Sequence, residues 1–172
     1  MARLEAWVAN IGRATAWLTL LMVLLTFSVV VLRYGFSLGW IWLQESVTYL
    51  HATVFMLAAA WTLQSDGHVR VDIFYRTGSV RHQAVVNLAG TLLLLMPFCV
   101  FLLAIGWEYV YASWKLKEGS GEAGGVPLVY LLKTLILLLP ALLLLQAIPM
   151  ALRSWRALRP KPGHGLKHSW PE

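Results

Sequence analysis

Four long stretches almost free of charge dominate this sequence of 172 residues: Ala14 to Leu32, Ser46 to Leu63, Gln83 to Trp107 and Leu128 to Leu152. A helix of 18 to 25 residues reaches roughly 27 to 37 Å, against a bilayer hydrocarbon core of about 30 Å. Lipid offers the backbone no hydrogen-bond partner, so a lone span must satisfy its own N–H and C=O groups. These runs also lack the alternation of a barrel strand. The expected class is an all-α integral membrane protein with four transmembrane helices. Composition agrees, since 13% of residues are charged where a soluble domain carries about a quarter.

The basic excess of six charges reads as topology, and no nucleic-acid partner is inferred from it. With four spans, both termini and the middle loop share one side. That side holds Arg3, Arg13, Arg70, Arg76, Arg81, Arg153, Arg156, Arg159, Lys161 and Lys167, while the other has Arg33, Lys115 and Lys117. The positive-inside rule then places the N and C termini in the cytoplasm. The first stretch is longer than a secretory core, and Val29 to Tyr34 offers no small-residue cleavage pattern, so it is expected to stay as an anchor. Residues 1–152 are expected to form a single membrane domain, followed by a basic, disordered tail over 153–172 with two prolines and two glycines between Pro160 and Gly165.

Aromatic residues mark the interfaces. Tyr34, Phe36, Trp40, Trp42, Tyr49, Trp107, Tyr109, Tyr111, Trp114 and Tyr130 gather at the outer boundary, and Trp61, Phe74, Tyr75 and Trp155 at the inner one. The segment 36–44 is too apolar for an aqueous loop and too short to span, which predicts a short interfacial amphipathic helix between spans one and two.

A carrier or channel acting alone needs polar groups near the midplane. Lys133 is the one formal charge within a span, about a turn from the outer side, where its stem can snorkel to the surface. Pro97, Pro140 and Pro149 predict kinks, but no matched pair of broken helices frames a substrate site. The depths of His51, His68 and His82 do not match as a haem pair would require. One cysteine, Cys99, excludes a disulfide framework, and no metal motif, nucleophile with base or phosphate-cradling loop is present. The chain reads as non-enzymatic, without a cofactor.

What remains suits contact with another membrane protein. In span two, Glu45, Tyr49, Ala52, Thr53, Met56, Ala59 and Ala60 recur at three- and four-residue steps, making a small, weakly polar side that lets helices approach. Asn87, Gly90 and Thr91 form a similar patch in span three. Both patches serve equally to hold the chain's own helices together. Glu45 has three possible uses: capping span two, pairing with Arg33, or binding a partner, and capping is the simplest. The inner loop, Asp66 to Tyr75, alternates Val69, Val71 and Ile73 against His68, Arg70 and Asp72.

The order of these features resembles the small membrane subunit of TRAP transporters, the tripartite ATP-independent periplasmic carriers, of the DctQ-like kind. The resemblance runs from about Leu20 to Gln146. It rests on Arg33-Tyr34 closing span one, Trp40, Trp42 and Glu45, the run Ala58-Ala59-Ala60, and Gly67 to Asp72, with Glu118, Ser120, Gly124, Gly125 and Pro127 ahead of span four. Many members carry paired acidic residues at the start of span two, where this chain has Gln44-Glu45. The resemblance implies an accessory subunit in a bacterial inner membrane. It would brace the scaffold of a large, sodium-driven transport subunit for organic acids and help dock a periplasmic binding protein. Arg33, Trp40, Trp42, Glu45, Tyr49, Ala59, Ala60, His68, Arg70 and Asp72 are the candidates for partner contact or fold-holding, and Lys115, Lys117 and Glu118 for docking. Two rivals are a haem or quinone anchor of a redox complex and a general membrane assembly factor.

Overall fold

The computed structural model describes residues 2–68, 75 and 78–159, with side chains from residue 6 onward. The regular structure among the described residues is all helical, in α1 (Ala2–Gly35), α2 (Ile41–Gln64), α3 (Val80–Ala89), a π-helical segment (Gly90–Leu95), α4 (Met96–Leu116) and α5 (Val129–Leu158). Four stretches are long and apolar enough to cross a bilayer: Ala6–Gly35, Ile41–Gln64, Val80–Leu116 and Val129–Leu158. The expected four-span, all-α class therefore holds.

The helices do not close into a square bundle. α1 packs on α2, α2 on α5, and α5 on α3, the π segment and α4, while neither α1 nor α2 meets α3 or α4 among the described residues. The spans thus stand in an open row with α5 as its hub. Burial follows that order: 28% of the apolar window of α5 is buried, against 6% for α1 and for α2. Val8, Ala60 and Leu142 form the core where α1, α2 and α5 meet, flanked by Ile11, Leu57, Leu143 and Leu145. A Cβ on Gly12 would collide with the Trp61 ring, so glycine is what lets α1 lie against α2.

Boundaries differ from the sequence expectation in three places. α1 extends back to Ala2 rather than starting near residue 14, because Val8 and Thr15 are buried against neighbouring helices. The interfacial helix expected over 36–44 is absent. Residues 36–40 are non-helical: Phe36 and Leu38 N–H both donate to Leu32 O, at 3.2 and 2.9 Å, and Ser37 turns the chain with a left-handed φ of 56°. Ile41 to Gln44 instead form the first turn of α2. α5 runs past Leu152 to Leu158, and it is unbroken through Pro140 and Pro149, both fully buried. The Pro160 to Gly165 stretch lies outside the described residues.

Span three carries its irregularity just ahead of Pro97. Proline has no N–H to give, and the preceding turn adopts the wider register in which Met96 N–H donates to Thr91 O.

Candidate functional site

The start of α2 shows what its lone carboxylate does. Trp40, the residue before the helix, is extended (φ −113°, ψ 126°) and makes no side-chain cap. Glu45 stands one turn further in and does not cap α2. Its carboxylate accepts a hydrogen bond from Ser120 Oγ at 2.5 Å and another from the Val126 backbone N–H at 2.6 Å. Charge-assisted bonds of this kind are the strong ones. They fasten the 117–128 loop to a helix far away in sequence.

The loop is shaped for that grip. Ser120 N–H donates to Val126 O at 3.2 Å, closing the loop on itself, and Ser120 Oγ also accepts from Glu122 N–H at 3.1 Å. A Cβ on Gly125 would sit 2.7 Å from Glu45 Oε2 and collide with the Ser120 side chain, so only glycine fits. Gly124 has φ +81°, the conformation that L side chains rarely adopt.

A second tie fixes the loop to α4 and α5. Lys133 Nζ donates to Glu118 Oε2 at 2.6 Å and lies 4.0 Å from the Tyr109 ring centre. The ammonium holds the Glu118 carboxyl below the usual carboxylate range. Lys133 thus turns toward the loop as snorkelling requires, and ends on a specific partner. Lys117, left-handed at φ 49°, places its ammonium 4.6 Å from the Trp114 ring and 4.9 Å from that of Tyr130. Those rings meet edge to face at 4.8 Å, and Trp114 Nε1 donates to Thr134 Oγ1 at 2.8 Å.

The expected docking trio is therefore unequal. Glu118 and Lys117 are engaged within the chain, and Lys115 is exposed. Arg33, Trp40 and Trp42 are exposed at the same end of the row. The Tyr49 hydroxyl is buried and has no hydrogen-bond partner among the described residues.

At the opposite end, Ala60 is core and touches the chain's own helices, whereas Ala59 lines an open cavity with His68, Asn87 and Thr91. His68 Nε2 lies 3.2 Å from Ala59 O, folding the start of the middle loop back on α2. Asn87 Nδ2 donates to the Tyr75 hydroxyl at 2.8 Å, and Thr91 Oγ1 to Asn87 O at 2.7 Å. Arg70 and Asp72 lie outside the described residues.

Sequence reasoning missed Ser120 and Val126 as partners of Glu45, and Gly125 as the position beside it that leaves no room for a side chain. The available signal was a serine and a Gly-Gly pair just ahead of span four, read there only as part of a resemblance.

Residues 22–157 match the family described as tripartite ATP-independent periplasmic transporters, DctQ component. The chain is also similar to the C4-dicarboxylate TRAP transporter small permease protein DctQ of Vibrio cholerae serotype O1, with 25% identity over 113 residues, which is 61% of this chain and 48% of that protein. The chain thus spans about half the length of the curated relative it matches. No solved structure matches it.

Proposed function

Since this chain belongs to the DctQ component family of tripartite ATP-independent periplasmic transporters, a family of multi-pass inner-membrane subunits, we propose that it braces the large transport subunit of a sodium-driven carrier for organic acids. The observation that carries this reading is the open row. Apolar side chains as large as Trp17 and Phe27 on α1 and Phe101 and Ile105 on α4 stay exposed, and α5 alone joins the two flanks. Such a row presents two apolar faces, one available to the scaffold of a neighbouring membrane protein and the other to lipid. Transport chemistry then belongs to the large subunit, and this chain neither catalyses a step nor holds a cofactor.

In this reading the Glu45 end faces the periplasm and both termini face the cytoplasm, in keeping with the distribution of lysine and arginine. The fastened 117–128 loop supplies a firm outer surface for a periplasmic binding protein, with Lys115 exposed beside it in the last turn of α4. Organic acid as cargo agrees with the C4-dicarboxylate named for the Vibrio relative.

The test is to tag the C-terminus, purify from native membranes in mild detergent, and identify companions by mass spectrometry with a visible spectrum recorded alongside. A near-stoichiometric, larger polytopic protein is expected. Co-reconstitution should then give sodium-dependent uptake that needs the binding protein and fails without this chain. A solitary protein, or one that arrives with haem and redox subunits, would overturn the reading.

A further inference from the structure

Along one side of α2 the uncovered surface of the row changes character. Gln44, Thr48, His51 and Phe55 follow steps of four, three and four residues, so they share one face of the helix, and all four are exposed. Ala60 and Leu57, which pack into the core with α1 and α5, lie on the opposite side. The hydroxyls of Ser46, Thr53 and Thr62 on the same helix turn back to the carbonyls of Trp42, Tyr49 and Ala58 at 2.7, 2.7 and 3.0 Å. Thr48 makes no such bond, and neither the His51 ring nor the Gln44 side-chain amide meets a hydrogen-bond partner among the described residues. His51 stacks on Phe55, with ring centres 6.5 Å apart, and stands ten residues past the start of α2, about 15 Å along a helix of about 36 Å. At the outer end Gln44 lines a hollow between α1 and α2 together with Thr26, Val30 and the exposed Arg33.

We propose that this face of α2 is the seat of a transmembrane helix from a partner membrane protein, one that brings hydrogen-bond acceptors to the line of Gln44, Thr48 and His51. In the carrier reading above, on which the partner's name rests, that helix belongs to the large transport subunit. The choice of occupant follows from chemistry at depth. Arg33, Gln44, Thr48 and His51 each have an N–H or O–H to donate, and an imidazole keeps at least one N–H in every protonation state. Lipid headgroup oxygens can serve Arg33 and Gln44 at the outer end. At the level of His51 the acyl chains offer no acceptor, and a polar group left bare there is costly. A protein helix supplies carboxylate, amide or hydroxyl oxygens at that depth, and polar side chains are what hydrogen-bond across helices in lipid. The other flank makes no such demand: Phe98, Val100, Phe101 and Ile105, exposed on α4, are all hydrocarbon. The polar line therefore gives the row a direction, with the partner on the open face of α2 and lipid against α4.

The test keeps the full chain in its native membrane, with its companion first identified by the co-purification described above. A photoreactive residue at Phe55 should crosslink that companion, and one at Phe101 should capture lipid. His51→Leu combined with Thr48→Val removes two donors from an exposed face. It should cut the companion retained in detergent several-fold, with thermal unfolding of the chain unchanged. His51→Gln, which keeps an N–H to donate, should retain most of it; leucine and glutamine are close in size, so the difference reads the hydrogen bond rather than shape. Capture at Phe55 of lipid alone, or of a second copy of this chain, would overturn the proposal. So would equal retention of the companion by wild type and the double variant. Should the companion be something other than a large carrier subunit, the carrier reading falls and these same two readouts still decide the face, whereas a chain that purifies alone overturns both.

Discussion

The Glu45 carboxylate and the Ser120 hydroxyl, 75 positions apart in the chain, stand 2.5 Å from one another and join the start of α2 to the loop that leads into α5. The same carboxylate holds the Val126 N–H. Neither partner lies on a helix, so a side chain on α2 adds a tie to a loop that also closes on itself between Ser120 N–H and Val126 O. Glu45→Gln keeps the shape but gives up the charge that strengthens both bonds, and Glu45→Ala removes them altogether. Hydrogen exchange at Val126 should quicken in that order, and limited proteolysis should begin between 117 and 128, with helical circular dichroism unchanged. Ser120→Ala should have the mildest effect, since the Val126 bond survives it. Equal exchange at Val126 in all three variants would show that the loop holds itself.

The Glu118–Lys133 pair predicts a pH dependence with a definite sign. The Lys133 ammonium lowers the folded-state pKa of Glu118, so the unfolded chain binds this proton more readily than the folded one. The contribution is fully present above the unfolded carboxyl pKa and is lost as pH falls through the lower, folded one. Thermal unfolding in detergent should therefore show wild type more stable than Glu118→Gln at neutral pH. The gap between them should narrow on acidification below the ordinary carboxylate range and stay constant across neutral pH. A gap that persists undiminished in acid would place the effect of the substitution elsewhere than in the charge.

Much of this fold is legible in the sequence, and what is not has a physical reason. Lipid leaves a solitary apolar segment no option but helix, so the four spans follow from length and charge alone. The start of α1 does not, because Val8 and Thr15 are buried by contact with other helices, which no hydropathy window records. The segment 36–40 carries interfacial residues but follows Gly35 and contains Gly39 and a left-handed Ser37, and the backbone turns where the aromatic content promised helix. Glu45 illustrates the limit most plainly: local reasoning offers it the nearest helix end and the nearest cation, and its partners lie on a distant loop.

Two glycines should respond unequally to the same substitution. A Cβ on Gly12 would run into the Trp61 ring at Cγ and Cδ2, close to its backbone, where there is little freedom to yield. A Cβ on Gly106 would meet the Leu137 Cδ2 methyl, a flexible end, at 3.1 Å and the Ile136 Cγ2 methyl at 3.3 Å, where a shift of a few tenths of an ångström suffices. Gly12→Ala should cost about 1–3 kcal/mol through overpacking. Gly106→Ala should fall within about 1 kcal/mol of wild type, since alanine's higher helix propensity offsets the tight contact. Denaturation in mixed micelles measures both. In a Trp61→Ala background the cost of Gly12→Ala should shrink, which identifies the ring as the obstacle.

The unequal docking trio separates recognition from folding. Lys115 is exposed and Glu118 is tied to Lys133, so charge reversal at the two positions tests different things. Lys115→Glu leaves the loop's internal ties intact and should lower binding-protein-dependent uptake several-fold in proteoliposomes, with the deficit growing at low salt, where surface charges are least screened. Glu118→Lys sets two ammonium groups together beside Tyr109 and should loosen the loop first, visible as faster exchange at Val126 even without a binding protein. Any uptake lost there reports a misshapen surface rather than a missing contact. If Lys115→Glu leaves uptake and its salt dependence unaltered while the complex stays assembled, the binding protein docks elsewhere, and the loop's work is to hold α2, α4 and α5 in their row.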